Sequence, residues 1–114
     1  MNRDLRQRDI WWVDLEPTRG TETQKHRPCV ILQNTPVNAG STTVIVAPLL
    51  PGHKKWPFAV NLTPDNQNAL DKERHINIKQ LRAVDISRLT RRQGVLAARY
   101  QDEIKRALCL VFDI

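Results

Sequence analysis

Three side chains able to act on a phosphodiester stand within six residues of one another in GTETQKHRP, residues 20–28: Glu22, His26 and Arg27. A carboxylate or an imidazole can move a proton, and a guanidinium can neutralise charge on phosphate oxygens, so the set suits phosphate-ester chemistry. A salt bridge at the end of a surface loop uses the same residue types and is the commoner arrangement. A second cluster, PGHKKWPF at 51–58, sets His53, Lys54 and Lys55 ahead of Trp56 and Phe58. Lysines that track a backbone, beside aromatic faces on which bases stack, are what a single-stranded nucleic acid needs. The plainer reading is a solubilising hairpin tip over core aromatics. A third, Lys79-Gln80-Leu81-Arg82, joins an amide able to read a base edge to a guanidinium able to hold a phosphate.

No metal or cofactor motif accompanies these clusters. His26, His53 and His75 are far apart with no ligand spacing, and there is no P-loop, dinucleotide-binding glycine signature or GxSxG. Phosphate-ester cleavage would then be metal-independent, which favours RNA, whose 2′-OH supplies an internal nucleophile. No cofactor is expected.

The elements that must hold these residues follow from the pattern. Residues 9–15 (DIWWVDL) read as a strand stopped by Pro17 and Gly20, and 27–34 (RPCVILQN) as a strand opened by a proline. This segment and 42–50 (TTVIVAPLL) are near-continuous apolar runs, expected to be central strands covered on both faces, with a turn at 38–41. Strand character resumes at 56–62. Residues 75–80 alternate, which predicts a strand with Ile76 and Ile78 on one face and Asn77 and Lys79 on the other. Residues 91–96 suit a short last strand. From Tyr100 the apolar spacing changes to that of an amphipathic helix, with no evident side-chain cap. Five or six short antiparallel strands and one helix, without βαβ alternation, predict a mainly β fold, a small barrel or strongly bent sheet.

The 114 residues fit one domain, 1–114, and 40% hydrophobic content supports a core without metals or disulfides. Cys29 and Cys109 sit in apolar surroundings, and both are expected to be reduced, buried hydrophobes. No apolar run reaches membrane-spanning length, and the first ten residues are charged rather than signal-like, so a soluble, cytoplasmic protein is expected. The formal charge is +6, and residues 74–99 alone hold seven basic side chains against Asp85. Such clustering fits a polyanionic partner, and equally a solvated face.

The stretch RDIWWVDLEPTRGTETQKHRPCVILQN resembles the opening signature of the MazF/PemK/Kid toxins of bacterial toxin–antitoxin pairs. VAPLL, WPFAV and KQLRAVDISRL continue the likeness in order over nearly the whole chain. The resemblance implies an SH3-like barrel with a C-terminal helix. It also implies a homodimeric, metal-independent endoribonuclease that cuts single-stranded RNA by 2′-OH attack, leaving a 2′,3′-cyclic phosphate and a 5′-OH. The implied partner is an antitoxin whose acidic, disordered tail lies across the RNA groove.

Arg27 falls on the family's catalytic arginine, Glu22 on the glutamate of its turn, and His26 precedes the arginine as in some members. Asn34, Trp56, Gln80 and Arg82 fall at or near the RNA groove, which Lys54 and Lys55 extend. Three positions depart from the pattern: Leu50 replaces the usual Thr or Ser, Lys79 the usual acidic residue, and Thr23 a glutamine. His53 and Thr21 are the candidates for the missing polar role. Two other readings stay open: a non-catalytic binder of RNA or antitoxin, favoured by Leu50, and a gyrase inhibitor like the fold-related CcdB toxins.

Overall fold

A computed structural model describes residues 4–16, 25–38 and 40–114. Thr21, Glu22 and Thr23 lie outside the described residues. Among the described residues seven strands form one antiparallel sheet: β1 (Asp9–Asp14), β2 (His26–Ile31), β3 (Thr43–Pro51), β4 (Ala59–Leu62), β5 (Arg74–Asn77), β6 (Arg82–Asp85) and β7 (Leu89–Val95). Their order is β4-β5-β3-β2-β1-β7, and β6 also pairs with β3. A four-residue helix α1 (Thr35–Asn38) leads into the expected turn, and α2 (Tyr100–Phe112) ends the fold. The strand absent from the sequence expectation is β6. It buries Val84 alone, which leaves no apolar alternation to read.

The expectation that β2 and β3 are covered on both faces holds, because alternate residues feed two separate cores. Val30, Ala47 and Leu49 join Val60, Leu62, Ile76, Ile78 and the α2 residues Tyr100, Ile104 and Ala107. Cys29, Ile31, Val44 and Val46 point the other way, to Val13, Leu15, Val84 and Leu89. The first core is roofed by α2. The second is walled by β1, β2, β3, β6 and β7, and among the described residues neither α1 nor α2 contributes to it.

The predicted strand at 75–80 stops early. Leu49 faces Ile76 while Val46 faces Arg82, so three steps along β3 oppose six along its partner. The three extra residues are a 3-10 turn, Ile78–Gln80, capped by the Asn77 side chain, which accepts from the Lys79 N–H. Asn77 is therefore buried rather than outward-facing, and β5, lying between β3 and β4, is buried along its whole length.

Helix α2 has no side-chain cap; Asp102 and Glu103 in its first turn favour the positive end of its dipole. Its buried stripe is Tyr100, Ile104 and Ala107, with Leu108 and Val111 packed beside it. Cys109 falls off that stripe and is exposed, contrary to the expectation drawn from its apolar neighbours; Cys29 is buried and both are free thiols. An apolar run in a helix shows only one face to the core. No helix among the described residues is long and apolar enough to cross a membrane.

Candidate active site

The second core opens at one end. Leu15, Val46, Pro48, Lys79, Gln80, Leu81 and Arg82 line a cavity of about 150 Å³ there, and both charged residues among them are basic. Arg82 lies opposite Val46 in the sheet and donates to the Leu15 carbonyl (3.1 Å), so it ties β6 to the end of β1. Arg27, half-buried, pairs with Val13 and stands two residues before Cys29, on the same face of β2. Burial pushes the Cys29 thiol up to about 12, against the opposing pull of the Arg82 and Arg27 guanidinium groups. Ile31 faces Val46 and Val46 faces Arg82, so the register sets Arg82 on the same side of the sheet as Cys29 and Arg27. The two arginines concentrate positive charge where walls of low polarity strengthen its field.

The loop that carries Glu22 starts and returns at this mouth. The Leu15 N–H donates to the Lys25 carbonyl (3.0 Å), and the Lys25 N–H donates to Glu16 Oε1 (2.9 Å). Lys25 itself takes a left-handed conformation (φ 76°) to turn the chain into β2. Arg88 donates to the carbonyls of Asp14 (3.2 Å) and Glu16, bracing the other side of the stem.

The structure divides the sequence-predicted trio. His26 and Arg27 are consecutive in a regular strand, so their side chains leave opposite faces. His26 packs against Trp12 (ring centroids 5.3 Å apart) and its Nε2 lies 2.6 Å from the Thr90 hydroxyl, which donates to the Trp12 carbonyl (3.2 Å). Asn34 is also set apart from Arg27, beyond the far end of β2, about 13 Å away along the strand alone.

Leu50 does reach the mouth. Cys29 faces Pro48, and the same register continued by two residues sets Leu50 across from Arg27. The position is apolar, and the two proposed substitutes differ in what can be said of them: Thr21 is outside the described residues, while His53 is engaged elsewhere. His53 Nε2 contacts the Leu62 carbonyl (2.9 Å) and its Nδ1 the Glu73 carboxylate (3.4 Å).

Lys54, Lys55 and Trp56 form a second basic place. With Ala59, Asn61 and residues Glu103, Arg106 and Leu110 of α2 they line an open groove of about 500 Å³. Asn61 clamps the turn, accepting from the Lys54 N–H (3.0 Å) and donating to its carbonyl (2.9 Å). Beneath, buried His75 meets the Gly52 carbonyl through Nδ1 (2.8 Å), its Nε2 has no hydrogen-bond partner among the described residues, and Trp56 lies over it in an edge contact (5.7 Å).

The basic excess at 74–99 is not one patch. Arg74 is buried, donating to the Leu49 carbonyl (3.0 Å) and to Asp71 (3.3 Å); Arg92 bridges buried Asp9 (3.2 Å). Arg91 lies over Trp12 and Arg99 over Tyr100. Of the basic residues in that stretch, Lys79 and Arg82 alone line the cavity. Lys79 opens the third sequence cluster but had no binding role assigned to it; the reversal of charge there was the signal that could have given it one. Among the described residues no group of three or more His, Cys, Asp or Glu side chains could hold a metal ion.

Residues 6–112 match the PemK-like, MazF-like toxin family of type II toxin–antitoxin systems. The chain belongs to that family. Among curated relatives the toxin is 33% identical over 105 residues to an endoribonuclease MazF of Staphylococcus epidermidis, covering 91% of this chain and 88% of that protein. In fold it superposes on the crystal structure of MazF from Deinococcus radiodurans with a TM-score of 0.82 at 19% identity, covering 98% of this chain and 99% of that one. An endoribonuclease from a Mycobacterial species, solved in complex with its cognate antitoxin, gives a TM-score of 0.78 at 16% identity, over 96% and 95% of the two chains.

Proposed function

We propose that this toxin is a metal-independent endoribonuclease acting on single-stranded RNA, with the mouth of the second core as its active site. The observation that carries the proposal is the register that sets Arg27 and Arg82 on the second core's side of the sheet, beside a cavity whose charged lining is entirely basic. The likeness to a MazF endoribonuclease supports it. In this reading the 2′-oxygen attacks the adjacent phosphorus, the bond to the 5′-oxygen breaks, and a 2′,3′-cyclic phosphate and a 5′-OH result. Arg27 neutralises the charge that builds on the phosphate oxygens. Glu22 takes the 2′ proton, since it lies in the loop whose stem closes beside Arg27, whereas His26 faces Thr90. Arg82 and Gln80 hold the strand at the cavity, and Lys54, Lys55 and Trp56 bind its flank.

The curved sheet is read as a small SH3-like barrel, one toxin domain over 1–114 that works in the cytoplasm as a homodimer. An antitoxin with an acidic, disordered tail covers the same basic surface.

The deciding assay incubates the purified protein with a long RNA in EDTA and maps the ends. Cuts at a short recurring sequence with 5′-OH termini are expected. Leu50 beside Arg27 favours a second reading, a binder that has lost cleavage; intact RNA that is nevertheless bound in a salt-sensitive way would support it and overturn the first.

A further inference from the structure

Four side chains between the two basic places form a ladder. Lys54 Nζ lies 5.1 Å from the centre of the Trp56 ring, Trp56 stacks on Phe58 (5.4 Å, 17° between planes), and Lys79 Nζ lies 5.2 Å from the centre of Phe58. Lys79 also lines the cavity at the mouth of the second core, and Trp56 lines the groove along α2. The ladder therefore joins the two places into one track.

Its position relative to Arg27 follows from the register. Leu50 pairs with His75, and His75 with Asn61, so Arg27, Leu50, His75 and Asn61 make a row across one face of β2, β3, β5 and β4. His75 is one strand spacing of roughly 5 Å from Leu50, and Trp56 meets its ring in an edge contact. The Trp56 ring is not there to fill the core. Trp56 is 42% exposed, whereas Tyr100, the aromatic that does serve the first core, is 4% exposed.

We infer that the Lys54–Trp56–Phe58–Lys79 ladder is a stacking platform for one nucleobase flanking the cleaved bond, with Phe58 and Lys79 as specificity-determining residues. The inference rests on the endoribonuclease reading and adds to it two residues and a task. Each ring already carries an ammonium group over it, an arrangement that is weak when exposed and easily exchanged. A base that takes the place of a lysine on its ring gains stacking, and the released ammonium gains the neighbouring phosphate, so both partners of the exchange are satisfied. A purine, having the larger stacking face, is favoured. Lys79 then couples the two places: when its ammonium leaves Phe58 it stays within the wall of the cavity, next to Gln80.

The test uses the full-length protein and an RNA oligonucleotide made uncleavable by a single 2′-deoxy nucleotide at the mapped cleavage site. Affinities by fluorescence anisotropy are compared for wild type, Trp56→Leu, Phe58→Leu and Lys79→Ala, with far-UV circular dichroism as the check on folding. Loss of one stacked base should weaken binding roughly 5- to 150-fold in Trp56→Leu. Replacing the bases one at a time by abasic sites should identify a single flanking position whose loss costs the wild type that factor and costs Trp56→Leu nothing further. Lys79→Ala should change the base preferred at that position, read from the affinities of uncleavable oligonucleotides that differ only there. If every abasic position costs wild type and Trp56→Leu equally, the platform does not exist, although cleavage by the wild type would leave the endoribonuclease reading standing. A wild-type protein that leaves RNA intact overturns that reading instead.

Discussion

The two cores of this sheet are built from the same two central strands, yet one is sealed and the other open. The first is roofed by α2 and collects residues from β3, β4 and β5 that are almost wholly inaccessible, among them Leu49, Leu62 and Ile76. The second shares β2 and β3 but ends at a cavity ringed by Leu15, Gln80 and Arg82 beside Arg27. A core that is closed on every side contributes stability; a core left open at one end gives charged groups a rigid, apolar wall to stand on. In the proposed reading the toxin separates the tasks of holding the fold and of holding a polyanion by using opposite faces of the same strands.

The sharpest way to break this division is at the open end. Arg27→Ala should slow RNA cleavage by about 10²- to 10³-fold, the loss typical of a preorganised charge donor, with thermal unfolding nearly unchanged. Gel-based cleavage rates beside a melting curve test this, and a cleavage rate equal to wild type would remove Arg27 from the chemistry. At the sealed end the prediction reverses. Ile76→Ala, in a fully buried position, should lower stability by about 2–5 kcal/mol in urea titration while the folded fraction cleaves RNA at the wild-type rate.

Cys29 reports on the boundary between the two. Its folded-state value of about 12 stands above the ordinary thiol value of 9.0. Below pH 9 both folded and unfolded chains keep the proton, so its contribution to stability is fully present. As pH rises from about 9 to 12 the unfolded chain releases the proton first, and stability falls. Cys29→Ala should flatten this decline when unfolding free energies of the two proteins are compared across that range. In the native protein a thiol reagent should modify exposed Cys109 promptly and Cys29 only on unfolding.

Much of this was legible in the sequence, and the parts that were not share a cause. The runs at 27–34 and 42–50 are near-continuously apolar, which strands buried on both sides require, and the middles of β2 and β3 are buried in that way. The helix from Tyr100 was equally clear from its spacing. Charge was less legible, because a sequence shows where an arginine is in the chain but not which partner it meets. Arg74, Arg91 and Arg92 count toward the basic stretch, yet one is buried against a carbonyl, one lies on an indole and one is bridged to Asp9. Adjacency misled in the same way at His26 and Arg27, since neighbours in a strand face apart. The Lys79–Phe58 contact joins residues from separate elements, and only the folded chain brings them together.

The 3-10 turn between β5 and β6 carries a consequence of parity. In β5 the even-numbered Ile76 faces the core under the helix, while in β6 the even-numbered Val84 faces the open one. An uninterrupted strand would keep all even positions on one side; an inserted segment of odd length exchanges them. The three residues Ile78–Gln80 make that exchange, and so direct Arg82 toward the mouth rather than beneath α2. With two or four residues there, the same composition and the same strands would send this guanidinium to the wrong side of the sheet. The odd length of one short turn is thus as much a determinant of the site as the identity of the side chains within it.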